Sequence, residues 1–270
     1  ESQSAFRMVT YIDAIHPTVH LYDGYFVHSR GAIGAPLSEA PQAVIPVPGT
    51  ARIRSDLDVP VLTLETESDL TFLGYFAARQ DDSKRFRLWE VAGTSHADVY
   101  TLTGVADVGD SSDVVALVVT AAPLPGFIDC AEPINSGPQH FVVNAAFAAL
   151  DRWVRHGKPP KPAPRLEVAA GPPVAIMRDG NGNAVGGVRT PQVDAPIAAF
   201  TGEQDGSILC SLFGTTTPFG DATLAALYPS HKAFVSAYGK AVKRAVRAGW
   251  ILKPDAKLMK QWAARSSVGS

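Results

Sequence analysis

Three groups of residues have the types and the order that acyl transfer needs. The chain opens Glu1-Ser2-Gln3-Ser4-Ala5, which reads as the tail of a strand-to-helix turn of pattern G-x-S-x-G, the device that lifts a serine hydroxyl into a site. The leading glycine would precede Glu1, and small Ser4 stands where the trailing one would be. An acidic cluster follows an apolar run, Glu65-Thr66-Glu67-Ser68-Asp69, and a histidine follows a later one, Gly93-Thr94-Ser95-His96. A serine nucleophile, a histidine base and a carboxylate that holds the imidazole form one catalytic unit. A serine ahead of a helix is also an ordinary N-cap. The acid and the histidine that follow in order lift Ser2 above that reading.

The elements that must position these residues are partly visible. Phe6, Val9, Ile12 and Ile15 recur at intervals of three, one face of a helix expected to stop before Pro17. The backbone N–H of Gln3 would then sit at the positive end of that helix, placed to donate to a developing oxyanion. Residues 24–31 read as a short buried strand ending at a glycine, with His28 and Arg30 either lining a site or satisfied at the strand end. Val59 to Leu64 is a near-continuous apolar run, as expected of a strand covered on both faces of a parallel sheet. If the chain stays extended beyond it, Glu65, Glu67 and Asp69 point the same way, and local geometry decides which meets the histidine. A helix over 71–78 and a strand over 85–91 lead to His96.

These stretches carry a resemblance. Glu1 to Ser4, Asp23 to Arg30, Val59 to Asp69 and Leu88 to Asp98, in that order, resemble the bacterial alpha/beta hydrolase domain family of esterase-like proteins. Gly186 to Pro191 and Leu227 to His231 resemble its C-terminal part, so the likeness spans nearly the whole chain. It implies an α/β-hydrolase fold, a mostly parallel sheet covered by helices, and carboxylic-ester hydrolysis with Ser2 as nucleophile and His96 as base. In the generic hydrolase register the acid falls on Asp69, with Glu67 retained as the alternative. Members carry their first strands, the loop with the second oxyanion donor and the strand entering the elbow ahead of that serine. The expectation is therefore a C-terminal portion, with those N-terminal strands missing from the chain.

Composition bounds the rest. A chain of 270 residues, 46% hydrophobic and 19% charged, can bury a sizeable core. Its net charge of −2 gives no electrostatic reason to expect nucleic acid or an anionic membrane as partner, and no run reaches the length of a membrane span. Cys130 and Cys210 form either one long-range disulfide, which would indicate a secreted or periplasmic protein, or two inert thiols. Neither has metal-ligand neighbours at short spacing.

Residues 1–164 read as hydrolase core and 165–270 as an appendage of hairpin and helices packed on it. The apolar run 112–122 reads as a strand, 123–138 as an ordinary loop, and 141–154 as a helix stopped by Gly157 and the prolines after it. Asp179-Gly180-Asn181-Gly182-Asn183 begins like a calcium loop. Ala184 and Thr190 stand where glycine and glutamate are required, so a hairpin turn is expected instead. Residues 213–220 read as a loop, 230–249 as an amphipathic helix with a solvated basic face, 252–265 as a last helix, and 266–270 as a frayed tail.

The reading is a serine esterase acting on a small or medium-sized ester through an acyl-enzyme, with no metal or organic cofactor implied. Its rivals are an acyltransferase or a lactone or amide hydrolase on the same triad, and a non-catalytic binding protein on the same fold.

Overall fold

The computed structural model describes residues 1–103, 117, 119–169 and 171–270. Its centre is a small parallel sheet of three strands, β1 (Tyr25–His28), β2 (Val61–Glu65) and β3 (Phe86–Glu90), hydrogen-bonded in that order. Tyr25 pairs with Val61, and Val61 with Phe86. Beyond β3, Val91 makes a parallel bridge to Val188, so the chain past residue 165 adds a bonded partner to the far side of the sheet. Every residue of β2 is buried, which is why it reads as a continuous apolar run.

The two faces of the sheet are covered by different helices. Val61 and Leu88 pack with Ala5, Val9 and Ile12 of the opening helix on one side. Leu62, Leu64 and Trp89 pack on the other against Val142, Ala145, Ala146 and Ala149 of a long helix, Gln139–His156. Each large apolar side chain buried in this way contributes about 1.5–3 kcal/mol. The long helix ends at Gly157, whose φ of 65° suits a residue without a Cβ.

The opening helix does not stop before Pro17. It runs as α1 (Gln3–Thr10), widens into a π-turn over Tyr11–Ile15, and continues as α2 (His16–Val19) through the proline. Pro17 has no N–H to offer the carbonyl four residues back and crowds it. That carbonyl, Asp13 O, accepts from Arg54 Nη1 at 2.9 Å instead. A tertiary contact thus offsets what the local pattern forbids.

Other boundaries also differ from the sequence reading. The helix expected over 71–78 is replaced by α3 (Glu67–Leu70) and a 3₁₀ turn (Tyr75–Ala78). After β3 comes a short helix, α4 (Val99–Thr103), and the long helix is α5. The expected strand over 112–122 lies for the most part outside the described residues. Past residue 165, β4 (Val168–Ala169) pairs antiparallel with β5 (Ala175–Ile176), and the Asp179–Asn183 turn closes with Asp179 N donating to Asn183 O at 2.8 Å. Next come α6 (Pro191–Asp194), β6 (Ala198–Thr201) and α7 (Ile208–Phe213). The loop expected at 213–220 contains a strand, β7 (Thr215–Pro218), antiparallel to β6, so tertiary pairing overrides its turn-rich composition.

The C-terminal helices α8 (Asp221–Leu227), α9 (His231–Ala248) and α10 (Lys253–Arg265) follow, α9 and α10 packing through Phe234, Tyr238, Val242 and Met259. The tail is not frayed: His231 Nδ1 donates to Val268 O at 3.0 Å and Val268 packs against this cluster.

Cys130 and Cys210 are joined by a disulfide across 80 residues of sequence, within a cluster that includes Ala97, Ile134 and Phe213. Closing a loop of that length restricts the unfolded chain. Replacing both cysteines with alanine is expected to lower stability by about 2–5 kcal/mol, read as an earlier midpoint in urea. An unchanged midpoint would show that the link does not hold the native state.

Candidate active site

The backbone bends immediately after β2, and this bend sorts the three acids. Thr66 caps α3 in a reciprocal box: its hydroxyl accepts from Asp69 N, and Asp69 Oδ2 accepts from Thr66 N at 2.7 Å. Thr66 Oγ1 donates to the same Oδ2 at 2.7 Å. With Oδ2 so held, Oδ1 is left for the ring of His96, whose Nδ1 lies 2.7 Å away. A carboxylate only accepts, so Nδ1 carries the hydrogen and Nε2 is the basic nitrogen. The backbone N–H of His96 donates to Ser68 Oγ at 2.7 Å, so ring and main chain of the histidine are both anchored on α3. Asp69 is fully buried and His96 is 5% exposed.

Glu65, Glu67 and Asp69 therefore do not share a direction, because the segment is helical and not extended. Glu65 ends β2 fully buried and accepts from Arg30 N at 3.0 Å. Burial, with the nearby Asp69 charge, pushes its carboxyl well above the ordinary range. Glu67, the alternative acid, faces elsewhere. Its carboxylate accepts from Gly93 N at 2.6 Å, Gly202 N at 3.1 Å and Arg178 Nη2 at 3.1 Å. It ties the turn before His96 to the end of β6 and to the hairpin. Burial raises its pKa, opposed by Arg178 and the two backbone donors.

Replacing Glu67 with alanine leaves three donors without their acceptor. The expected cost is about 3 kcal/mol of stability, measurable by denaturation, with a much smaller effect on turnover at low temperature than a change at Asp69.

The loop bearing His96 is braced from below as well. Gly93 adopts φ 74°, and Asn135 Nδ2 donates to Gly93 O at 3.3 Å and Thr201 O at 3.0 Å. The sequence reading placed Asn135 in an ordinary loop; the side chain is buried and holds two loops together. Burial alone would lower the pKa of His96. The hydrogen bond and charge of Asp69, with the carboxylate of Glu1, outweigh it and hold the imidazole above its ordinary 6.5.

Ser2 occupies a strained turn. Its φ of 55° and ψ of −130° lie outside the regions a residue with a side chain adopts readily, at a cost of about 1–3 kcal/mol. It precedes α1 yet makes no side-chain capping bond. The ordinary N-cap explanation thus accounts neither for its hydroxyl nor for its backbone. The turn is fixed to the sheet, with Ser2 N donating to Ser29 O at 3.1 Å and Ser29 N to Leu64 O at 2.9 Å. Gln3 is the first residue of α1, where the N–H has no intrahelical acceptor.

A cavity of about 520 Å³ is lined by the polar side chains of Glu1, His28 and Asp98 and by the apolar ones of Phe26, Val143 and Phe147, with neither Ser2 nor His96 in its lining. Glu1 adjoins Ser2, and Asp98 follows His96 by two residues. His28 lines this cavity, its pKa lowered by burial. Arg30, named with it, does not. Arg30 is buried beneath the sheet end, its guanidinium 4.9 Å from the centre of the Tyr75 ring.

Asp98 was not singled out from sequence. Burial raises its pKa to about 6 against the two bonds it accepts from Thr101. His140, the second residue of α5, lies at the cavity wall and stacks on Tyr100 at 4.0 Å between ring centres. An aromatic cluster spread over residues 26, 100, 140 and 147 has no sequence signature, since nothing local links its members.

A family model described as "Alpha/beta hydrolase domain" matches residues 1–261. No curated protein and no solved structure matches the chain.

Proposed function

The chain belongs to the alpha/beta hydrolase domain family, and from that premise we propose that it is a serine hydrolase cleaving a carboxylic ester through an acyl-enzyme. The observation that carries this reading is the His96–Asp69 pair at 2.7 Å, with Ser2 held uncapped in a strained turn at the head of α1. In this mechanism His96 Nε2 takes the proton of the Ser2 hydroxyl as Oγ attacks the ester carbonyl. Asp69 keeps the hydrogen on Nδ1 and stabilises the imidazolium that forms. The N–H of Gln3, with the partial positive charge of the helix end, stabilises the tetrahedral oxyanion. His96 then protonates the leaving alkoxide, and a water activated by the same nitrogen releases the acid and restores Ser2.

The cavity supports a small or medium-sized substrate, since its volume falls in the range of small-molecule sites. Its Phe26, Val143 and Phe147 wall suits an apolar or aryl group. The disulfide supports a secreted or periplasmic location, and no helix among the described residues is long and apolar enough to cross a membrane.

Rapid mixing of the purified protein with p-nitrophenyl esters of increasing acyl length tests the reading. The expected result is a burst of about one nitrophenol per chain before steady turnover. Turnover equal to that of the His96→Ala protein, with no burst for any ester, would contradict it.

A further inference from the structure

At the opposite rim of the sheet, three side chains converge that no part of the proposed chemistry uses. His16 is buried at the start of α2. His20 follows four residues later, at the left-handed position that ends the helix, with φ 45°. Asp58 precedes β2. His16 Nε2 lies 3.1 Å from Asp58 Oδ1, and His20 Nδ1 lies 3.2 Å from Asp58 Oδ2. One ligand atom from each of the three falls within 4.8 Å of the others. We propose that His16, His20 and Asp58 form a binding site for a divalent transition-metal ion of the zinc class.

Three features carry the proposal beyond a pair of hydrogen bonds. The first is spacing. Ligands bound at about 2.0–2.1 Å in a tetrahedron stand roughly 3.3 Å apart, close to both imidazole-to-carboxylate distances here. The second is the outer shell. Tyr25 OH is 2.8 Å from His16 Nδ1, so the other ring nitrogen is fixed and Nε2 is directed at Asp58, as the bound imidazole of a metal site requires.

The third feature is conformation. A histidine in the left-handed region is unfavourable by about 1 kcal/mol or more, and here that conformation presents its ring to the carboxylate. His20 and Asp58 are 57% and 62% exposed, leaving the outer side open to a water as fourth ligand. Two imidazoles and one carboxylate favour zinc and its neighbours over calcium or magnesium, which prefer all-oxygen shells.

The site would clasp the end of the opening helix to the segment that leads into β2. Because it lies at the amino ends of β1 and β2, away from Asp69 and His96, its role is structural and independent of the proposed hydrolysis.

The experiment is titration of tag-free protein, stripped with EDTA, with ZnCl2 in a calorimeter, followed by CoCl2 with visible spectroscopy. The expected result is one zinc per chain, a cobalt band of tetrahedral intensity, and no response to CaCl2 or MgCl2. Zinc at 100 times its Kd is expected to raise the folded-to-unfolded ratio about 100-fold, seen as a higher Tm.

His20→Ala and Asp58→Ala, both at exposed positions, are each expected to weaken zinc more than about 100-fold, beyond the 10–100-fold cost of a lost outer-shell partner. The surface change His156→Ala should leave binding unchanged. Tyr25→Phe should weaken zinc about 10–100-fold at the same stoichiometry. Absence of stoichiometric binding by the unaltered protein, or binding that survives both His20→Ala and Asp58→Ala, would overturn the proposal.

Discussion

Replacing Ser2 with alanine is expected to lower kcat by about 10⁶-fold with little change in KM, the loss seen when a serine nucleophile is removed from a unit of this kind. The residual rate would come from the remaining binding and oxyanion groups. Stability separates this role from that of a cap. Ser2 makes no capping bond at φ 55°, so alanine, which also disfavours that φ, should leave Tm nearly unchanged. Glycine adopts it freely, and Ser2→Gly is expected to stabilise the fold by about 1 kcal/mol while abolishing turnover. A true N-cap would behave in the reverse way, with alanine costing about 1 kcal/mol. Steady-state kinetics and thermal melts on the two variants check both halves of the expectation.

The second large effect belongs to Asp69→Asn, expected to reduce kcat by about 10⁴-fold through the wrong imidazole tautomer. The surroundings dictate that tautomer. The position of Oδ2 receives two donors from Thr66, so the amide oxygen of asparagine must take it and the NH₂ must face His96. An NH₂ donates to Nδ1, which moves the hydrogen to Nε2 and removes the base.

The pH profile supplies an independent readout. With Asp69 present, the pKa of His96 is raised, and only the neutral ring acts as base. Turnover should therefore fall as pH drops through a value above 6.5. Burial is the largest single influence on this ring and lowers its pKa, so the residual activity of the asparagine variant should lose its acid limb at a lower pH. An acid limb that stays in place would mean that another group controls it.

The parts legible in the sequence were those with local causes. The apolar run into β2, the strand before His96 and the glycine stop of α5 each follow from a few adjacent residues. A further local signal is Thr66-x-x-Asp69, a capping box, which requires a helical turn where the sequence analysis expects an extended segment. That turn separates Asp69 from Glu67 in space. What pairs Glu67 with Gly202 and Arg178 lies more than a hundred residues away, and no local pattern announces it.

The passage of the helix through Pro17 is hidden for the same reason, since Arg54 supplies the missing donor from elsewhere. His16 and His20 have a visible helical spacing, but Asp58 joins them only through the fold. The strand at Thr215–Pro218 exists because β6 offers it a partner, against a composition that favours turns.

The central claim is that one serine, Ser2, is activated by His96. Its most direct test is labelling of the native protein with a fluorophosphonate, followed by protease digestion and mass spectrometry of the modified peptide. The account predicts a single phosphonylated residue, Ser2, with labelling lost in heat-unfolded protein and in the His96→Ala variant. Labelling of a different serine, or an enzymatically active protein that takes up no label, would contradict it.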